Sequence, residues 1–144
     1  MLFRAAFGSS NALFAIILET DWTALGHRRI DQEHKALARI VRDLASIMGR
    51  GAESEISALL EQLASYSTFH FQSEEAAMRA ARFPDIAEHA GQHKEFTAKV
   101  TLLQLQPYRT NRGPELLGFV QRWFQTHTMG ADERFAEFLR KRAA

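Results

Sequence analysis

The chain has 144 residues, enough for one domain with a full core and too few to expect two. Its formal net charge is +1 with no basic block, which argues against a nucleic-acid partner or a membrane-surface patch. It has no cysteine, which removes disulfides, thiolate nucleophiles, Cys-ligated zinc and iron–sulfur clusters, so any metal must bind through His, Asp and Glu.

The longest apolar run, Ala12 to Leu18, is far shorter than the roughly 18 residues of a membrane span. Glu19, Thr20, Asp21 and Trp22 follow it and give no small-residue cleavage site. Residues 1–25 therefore read as an N-terminal arm, residues 26–144 as one helical domain, and the expected location is cytoplasmic.

The first predicted helix follows Gly26 and runs to about Met48, with Asp31 a candidate N-cap should it start late. Leu37, Ile40, Val41, Leu44, Ile47 and Met48 recur at helical spacing, His34 lies on the same stripe, and Gly49 and Gly51 stop the helix. The second helix is expected over 53–80, with the stripe Ile56, Leu59, Leu60, Leu63, Tyr66, His70, Glu74 and Met78. His70 and Glu74 replace aliphatic residues on that stripe one turn apart. Glu75 points off it and is expected to be solvated. Phe83-Pro84 ends the pattern.

The third helix is expected over 85–106, with Ile86, His89, His93, Phe96, Val100 and Leu103 on its stripe. Pro107 and the segment from Arg109 to Gly113 form the next connection. The fourth helix starts near Pro114 and carries Leu116, Leu117, Val120, Trp123, Phe124 and His127. Gly130 is expected to interrupt it, and Asp132 opens a short tail with Phe135, Phe138 and Leu139.

Four helices with short connections pack up-down-up-down, giving an all-α four-helix bundle with an N-terminal arm and a short C-terminal helix. In that topology His34, His70, Glu74, His89, His93, His127 and Asp132 share one half of the bundle. Singly, a histidine on an apolar stripe is more often a hydrogen-bonded core residue than a ligand. Together, seven inward titratable groups would need many separate hydrogen-bonding solutions, whereas one dinuclear metal site satisfies all of them. His89-Ala90-Gly91-Gln92-His93 lacks the glutamate of H-E-x-x-H, which disfavours a zinc protease.

The set resembles the hemerythrin family, in particular its single-domain bacterial members, over about residues 20–140. The matching motifs are Ile30-Asp31-Gln32-Glu33-His34 with Leu37, His70-Phe71-x-x-Glu74-Glu75-x-x-Met78, His89-x3-His93, and Trp123-x3-His127-x4-Asp132. The resemblance implies a non-haem di-iron centre that binds O2 reversibly and cycles between Fe2+ and Fe3+. One iron would take His89, His93 and His127. The other would take His34 and His70 and keep a position open. Glu74 and Asp132 would bridge them beside an oxo or hydroxo group. By motif position, Leu37, Phe71, Trp123, Phe124, Thr128 and Phe135 would wall the O2 pocket.

The physics is consistent with that assignment. Two ferrous ions bring four positive charges, of which two carboxylates and a hydroxide cancel three. A nitrogen-rich site suits iron. The chain lacks the paired Glu-x-x-His of ferritin-like enzymes, which favours reversible binding over oxidative turnover.

Three positions depart from the family pattern. Thr128 stands where an aliphatic residue is usual, and Thr128→Ile is expected to slow autoxidation. His27 also replaces an aliphatic residue and is expected at the surface or pocket edge. Gln32-Glu33 reverses the usual order, without expected consequence. The expected function is O2 carriage, storage or delivery, with no catalytic residue assigned. The rivals are an O2, NO or redox sensor acting through a separate partner, a peroxide- or NO-consuming di-iron enzyme, and a metal-free bundle.

Overall fold

The computed structural model describes residues 26–47, 52–106 and 112–143. The N-terminal arm, the glycines proposed to stop the first helix and most of the third connection lie outside the described residues. Four long helices follow in order: α1 Arg28–Ile47, α2 Glu53–Ala81, α3 Ile86–Gln104 and α4 Arg112–Thr126. A π-helical turn, His127–Asp132, then leads directly into α5, Glu133–Ala143. The fold is the four-helix bundle expected from the periodicity, with no strand among the described residues. Among those residues no helix is long and apolar enough to cross a membrane.

Three boundaries differ from expectation for identifiable reasons. Asp31 is not the cap of α1, because the helix is already under way at Arg28. His27 caps it instead. The Ile30 N–H donates to His27 Nδ1 at 3.4 Å and the Asp31 N–H to the His27 carbonyl at 2.9 Å. At the other end of the bundle, α4 starts at Arg112 and includes part of the predicted connection. Pro114 still falls in the first turn, where its missing N–H costs nothing. Arg112 is buried. Its guanidinium donates to the Leu103 carbonyl at 3.3 Å, to Ser57 Oγ at 2.7 Å and to Glu53, tying the start of α4 to α2 and α3.

The third difference bears on function. Gly130 does not interrupt the fourth helix; the backbone continues through it as a π turn. Five residues are about 1.4 turns of α-helix, which would carry Asp132 well round the axis from His127. The i→i+5 pattern of a π turn takes up the extra residue and returns Asp132 to the same side. His127 Nε2 and Asp132 Oδ1 lie 3.0 Å apart.

The core divides into two apolar clusters. The larger contains Leu37, Val41, Leu63, Phe71, Phe96, Val120 and Phe124, with Trp123 packed against it. The smaller contains Ile30, Met78, Phe83, Phe135 and Ala136. The predicted ligands fall between the two sets in sequence on α1, on α3 and from α4 through the π turn into α5, and between Leu63 and Met78 on α2, so a polar layer is held between apolar ends.

Candidate metal centre

The seven predicted ligands are all buried, none more than 3% exposed. Helical spacing explains their convergence. His70 and Glu74 are one turn apart on α2, and His89 and His93 one turn apart on α3. His34 comes from the first half of α1, and the π turn supplies His127 and Asp132.

The imidazoles form two groups. The His34 and His70 ring centroids are 4.5 Å apart. His89 lies 4.6 Å from His93 and 4.5 Å from His127, and the last two are 5.0 Å apart. The carboxylates span the groups. Glu74 places Oε1 beside His89 and 3.4 Å from His93 Nε2. Its Oε2 lies 3.1 Å from His70 Nε2 and 3.4 Å from His34 Nε2. Asp132 places Oδ1 3.1 Å from His89 Nε2 and 3.0 Å from His127 Nε2, and Oδ2 3.5 Å from His34 Nε2. Each carboxylate thus turns one oxygen to each set of imidazoles. Two cation-sized sites result, one lined by His89, His93, His127 and Glu74, the other by His34, His70 and Glu74.

Close approach here is not the same as hydrogen bonding. Glu74 Oε2, His93 Nε2, His127 Nε2 and Asp132 Oδ1 are buried and have no partner of hydrogen-bond geometry. Such orphaned atoms are costly unless something else satisfies them. The outer nitrogens show what that is. His70 Nδ1 donates to Glu33 Oε2 at 3.1 Å, His93 Nδ1 to Glu75 Oε1 at 2.8 Å, and His127 Nδ1 to Gln92 Oε1 at 2.6 Å. The two carboxylates only accept, and Gln92 turns its carbonyl oxygen to His127, so each fixes the proton on Nδ1 and turns the Nε2 lone pair inward. Histidines that ligate metals are oriented in this way. The donor set of five imidazoles and two carboxylates that each face both groups therefore fits a pair of first-row transition-metal ions.

Two expectations are corrected here. Glu75 is not merely solvated, because it holds His93. Glu33 is not without consequence, because it is buried and holds His70. Sequence reasoning also passed over Gln92. The available signal was position: Glu33, Glu75 and Gln92 each adjoin a predicted ligand and so lie beside the centre.

The predicted pocket residues do not all fall on one side. Leu37, Phe71 and Phe124 belong to the larger cluster and Trp123 packs on it. Phe71 stacks on His93 at 4.0 Å and Trp123 on His127 at 4.2 Å. Thr128 is buried directly after His127. Phe135 sits in the smaller cluster with Phe83, on the other side of the polar layer. His27 belongs to neither cation-sized group.

Without metal, protons occupy part of the site. Burial alone pulls the His70 pKa down, but the hydrogen bond to Glu33 and the negative charge of the adjacent Glu74 carboxylate reverse this and raise it to about 9. Burial acts likewise on His89, and Asp132 and Glu74 raise it to about 9. For Glu74 burial pushes upward, yet the four facing imidazoles hold its carboxyl well below its ordinary value. His127 is lowered, chiefly by burial.

These shifts fix a sign. His70 and His89 bind protons more tightly folded than unfolded, where the ordinary value is 6.5. Their contribution is fully present below about pH 6.5 and is lost as pH rises through about 9. The melting temperature of the metal-free protein should therefore fall between pH 7 and pH 10. A flat profile over that range would contradict the assignment. Metal ions compete for the same nitrogens, so loading should release protons.

Comparisons with known proteins agree with the geometry. A family model described as the hemerythrin HHE cation binding domain matches residues 25–139. A bacteriohemerythrin of Methylococcus capsulatus is 27% identical over 111 residues, covering 76% of this chain and 85% of the relative. Myohemerythrin-1 of Phascolopsis gouldii is 35% identical over 71 residues, covering 49% and 55% of the two chains. A crystal structure of wild-type hemerythrin superposes with a TM-score of 0.68 at 27% identity, covering 76% of this chain and 85% of that one.

Proposed function

The chain belongs to the hemerythrin family, whose members bind O2 at a non-haem di-iron centre, and from that premise we propose that it binds O2 reversibly as a carrier, store or delivery protein. The observation that carries this reading is the division of each carboxylate's oxygens between a three-histidine and a two-histidine group. The first group would hold one iron through His89, His93 and His127. The second would hold the other through His34 and His70 and, with fewer protein donors, keep a position open to a ligand. Glu74 and Asp132 would bridge. Bound iron supplies the electrons that make O2 binding strong and reversible.

The protein's own part is orientation and exclusion of water. Glu33, Glu75 and Gln92 fix three imidazoles. Phe71 and Trp123, stacked on two of them, keep bulk water from the centre, and water and protons would otherwise end the reversible cycle. Binding without turnover is supported by the ligand set. The two further carboxylates nearby, Glu33 and Glu75, face outer nitrogens and leave no acidic terminal ligand in either group.

Two inequivalent iron environments follow. After anaerobic loading with ferrous ion, the Mössbauer spectrum should show two iron sites of equal area, two irons per chain. One iron per chain, or a single symmetric environment, would contradict the proposed ligand division.

Thr128 is a buried hydroxyl residue directly after His127, at a position read as part of the pocket wall. Thr128→Val keeps the shape and removes the polar group. Its oxygenated form should autoxidise about fivefold more slowly, the effect of losing one hydrogen bond of ~1 kcal/mol to a departing or proton-donating group. Absorbance decay of the oxygenated protein in air measures this, and an unchanged rate would remove Thr128 from the mechanism.

A further inference from the structure

Ser67 is 2% exposed, and its Oγ has no hydrogen-bond partner. A hydroxyl within a helix has an easy solution in the carbonyl four residues back. Its neighbour Thr68 takes that solution, donating to the Ala64 carbonyl at 2.9 Å, and Thr97 donates to the His93 carbonyl at 3.0 Å. Ser67 does not, although Leu63 offers the same carbonyl position. An unpaired buried hydroxyl costs ~1–3 kcal/mol. Alanine at this position would avoid that cost and favour the helix.

The location gives the hydroxyl a use. Leu63, Ser67, His70, Phe71 and Glu74 are the buried residues of this part of α2, so Ser67 lies on the inward stripe. It is one turn before His70 and Phe71, on the side of the larger apolar cluster, where Phe71 meets His93, Phe96 and Trp123. His70 belongs to the two-histidine group, the one left with an open position. Ser67 thus brings an unpaired hydroxyl donor to a mostly apolar layer, one helical turn from His70.

We propose that Ser67 Oγ–H donates a hydrogen bond to the exogenous ligand bound at the two-histidine side of the centre. The ligand class is small and linear or bent, with a lone pair on the atom farthest from the metal, such as O2 or azide. Ser67 is then a determinant of ligand affinity that touches the ligand and no metal ion. The proposal rests on the di-iron reading above.

Azide binding to the iron-loaded ferric protein tests it, comparing the parent with Ser67→Ala and Ser67→Thr, alongside thermal unfolding of the metal-free proteins. Ser67→Ala should weaken azide at least about tenfold, as expected for a hydrogen bond to a charged ligand. Ser67→Thr should restore most of the affinity. The metal-free Ser67→Ala protein should melt no lower than the parent, because no protein hydrogen bond is lost. Azide affinity unchanged or tightened in Ser67→Ala would overturn the proposal. So would a lowered metal-free melting temperature without rescue by threonine, which would mark the hydroxyl as structural. A parent that takes up no iron would overturn the di-iron reading together with this one. A parent that binds iron and azide beside an indifferent Ser67→Ala would overturn only the role of Ser67.

Discussion

Glu74→Ala should reduce bound iron from two per chain to at most one, with loss of the O2-linked absorption. Glu74 is fully buried and presents Oε1 to His89 and His93 and Oε2 to His34 and His70. Among the described residues no other side chain faces four of the five imidazoles. Its removal strips both cation-sized sites of the ligand they share and leaves Asp132 as the only central carboxylate. Two dications would then sit in a buried site with one fewer negative charge, and a buried charge without compensation is strongly unfavourable. The helices need not be lost, because Leu63, Phe71 and Met78 still anchor α2 on both sides of the layer. Metal analysis after anaerobic ferrous loading and desalting, with circular dichroism on the same sample, is the check. Two irons retained in a folded variant would show that Glu74 is not the bridge.

Phe96→Ala should destabilise the fold by ~3–5 kcal/mol, the usual range for removing a fully buried phenylalanine. Phe96 is 0% exposed. Its ring meets Phe71 at 5.6 Å, Trp123 at 4.6 Å, Phe119 at 5.6 Å and Phe124 at 6.0 Å. Phe71 and Trp123 are themselves stacked on His93 and His127, so the ring braces the two aromatic plates that position those ligands. The cavity should therefore lower the melting temperature of the metal-free protein and also loosen retention of iron. Denaturant unfolding measures the first effect and iron loss to a chelator the second. A loss of stability below ~1 kcal/mol would mean that the site is not braced from this side.

The bundle and its buried cluster of candidate ligands were legible in the sequence because each of α1, α2 and α3 keeps one apolar stripe and the polar residues replace aliphatics on it. His34, His70, Glu74, His89 and His93 all obey that single period. Asp132 does not. It follows His127 by five residues, which no α-helical face accommodates, so Gly130 read as a break. A π turn conserves the helix and absorbs the odd spacing, which brings Asp132 Oδ1 to 3.0 Å from His127 Nε2. Glu33, Glu75 and Gln92 were hidden for a related reason. Each lies beside a stripe residue, where sequence alone places solvent, yet the gaps between helices admit their side chains to the outer nitrogens of His70, His93 and His127. Phe135 matched a motif position, but helix phase beyond the π turn carries it into the cluster with Phe83 and Ile30.

Reversible O2 binding at two irons has a direct optical test. The protein is loaded with ferrous ion without oxygen, and its visible spectrum is recorded before O2, after O2, and after O2 is withdrawn. A charge-transfer band that appears with O2 and vanishes on deoxygenation, over repeated cycles and with two irons per chain, is the expected result. A band that decays irreversibly on first exposure, or an absence of any band in protein that holds its iron, would contradict reversible binding.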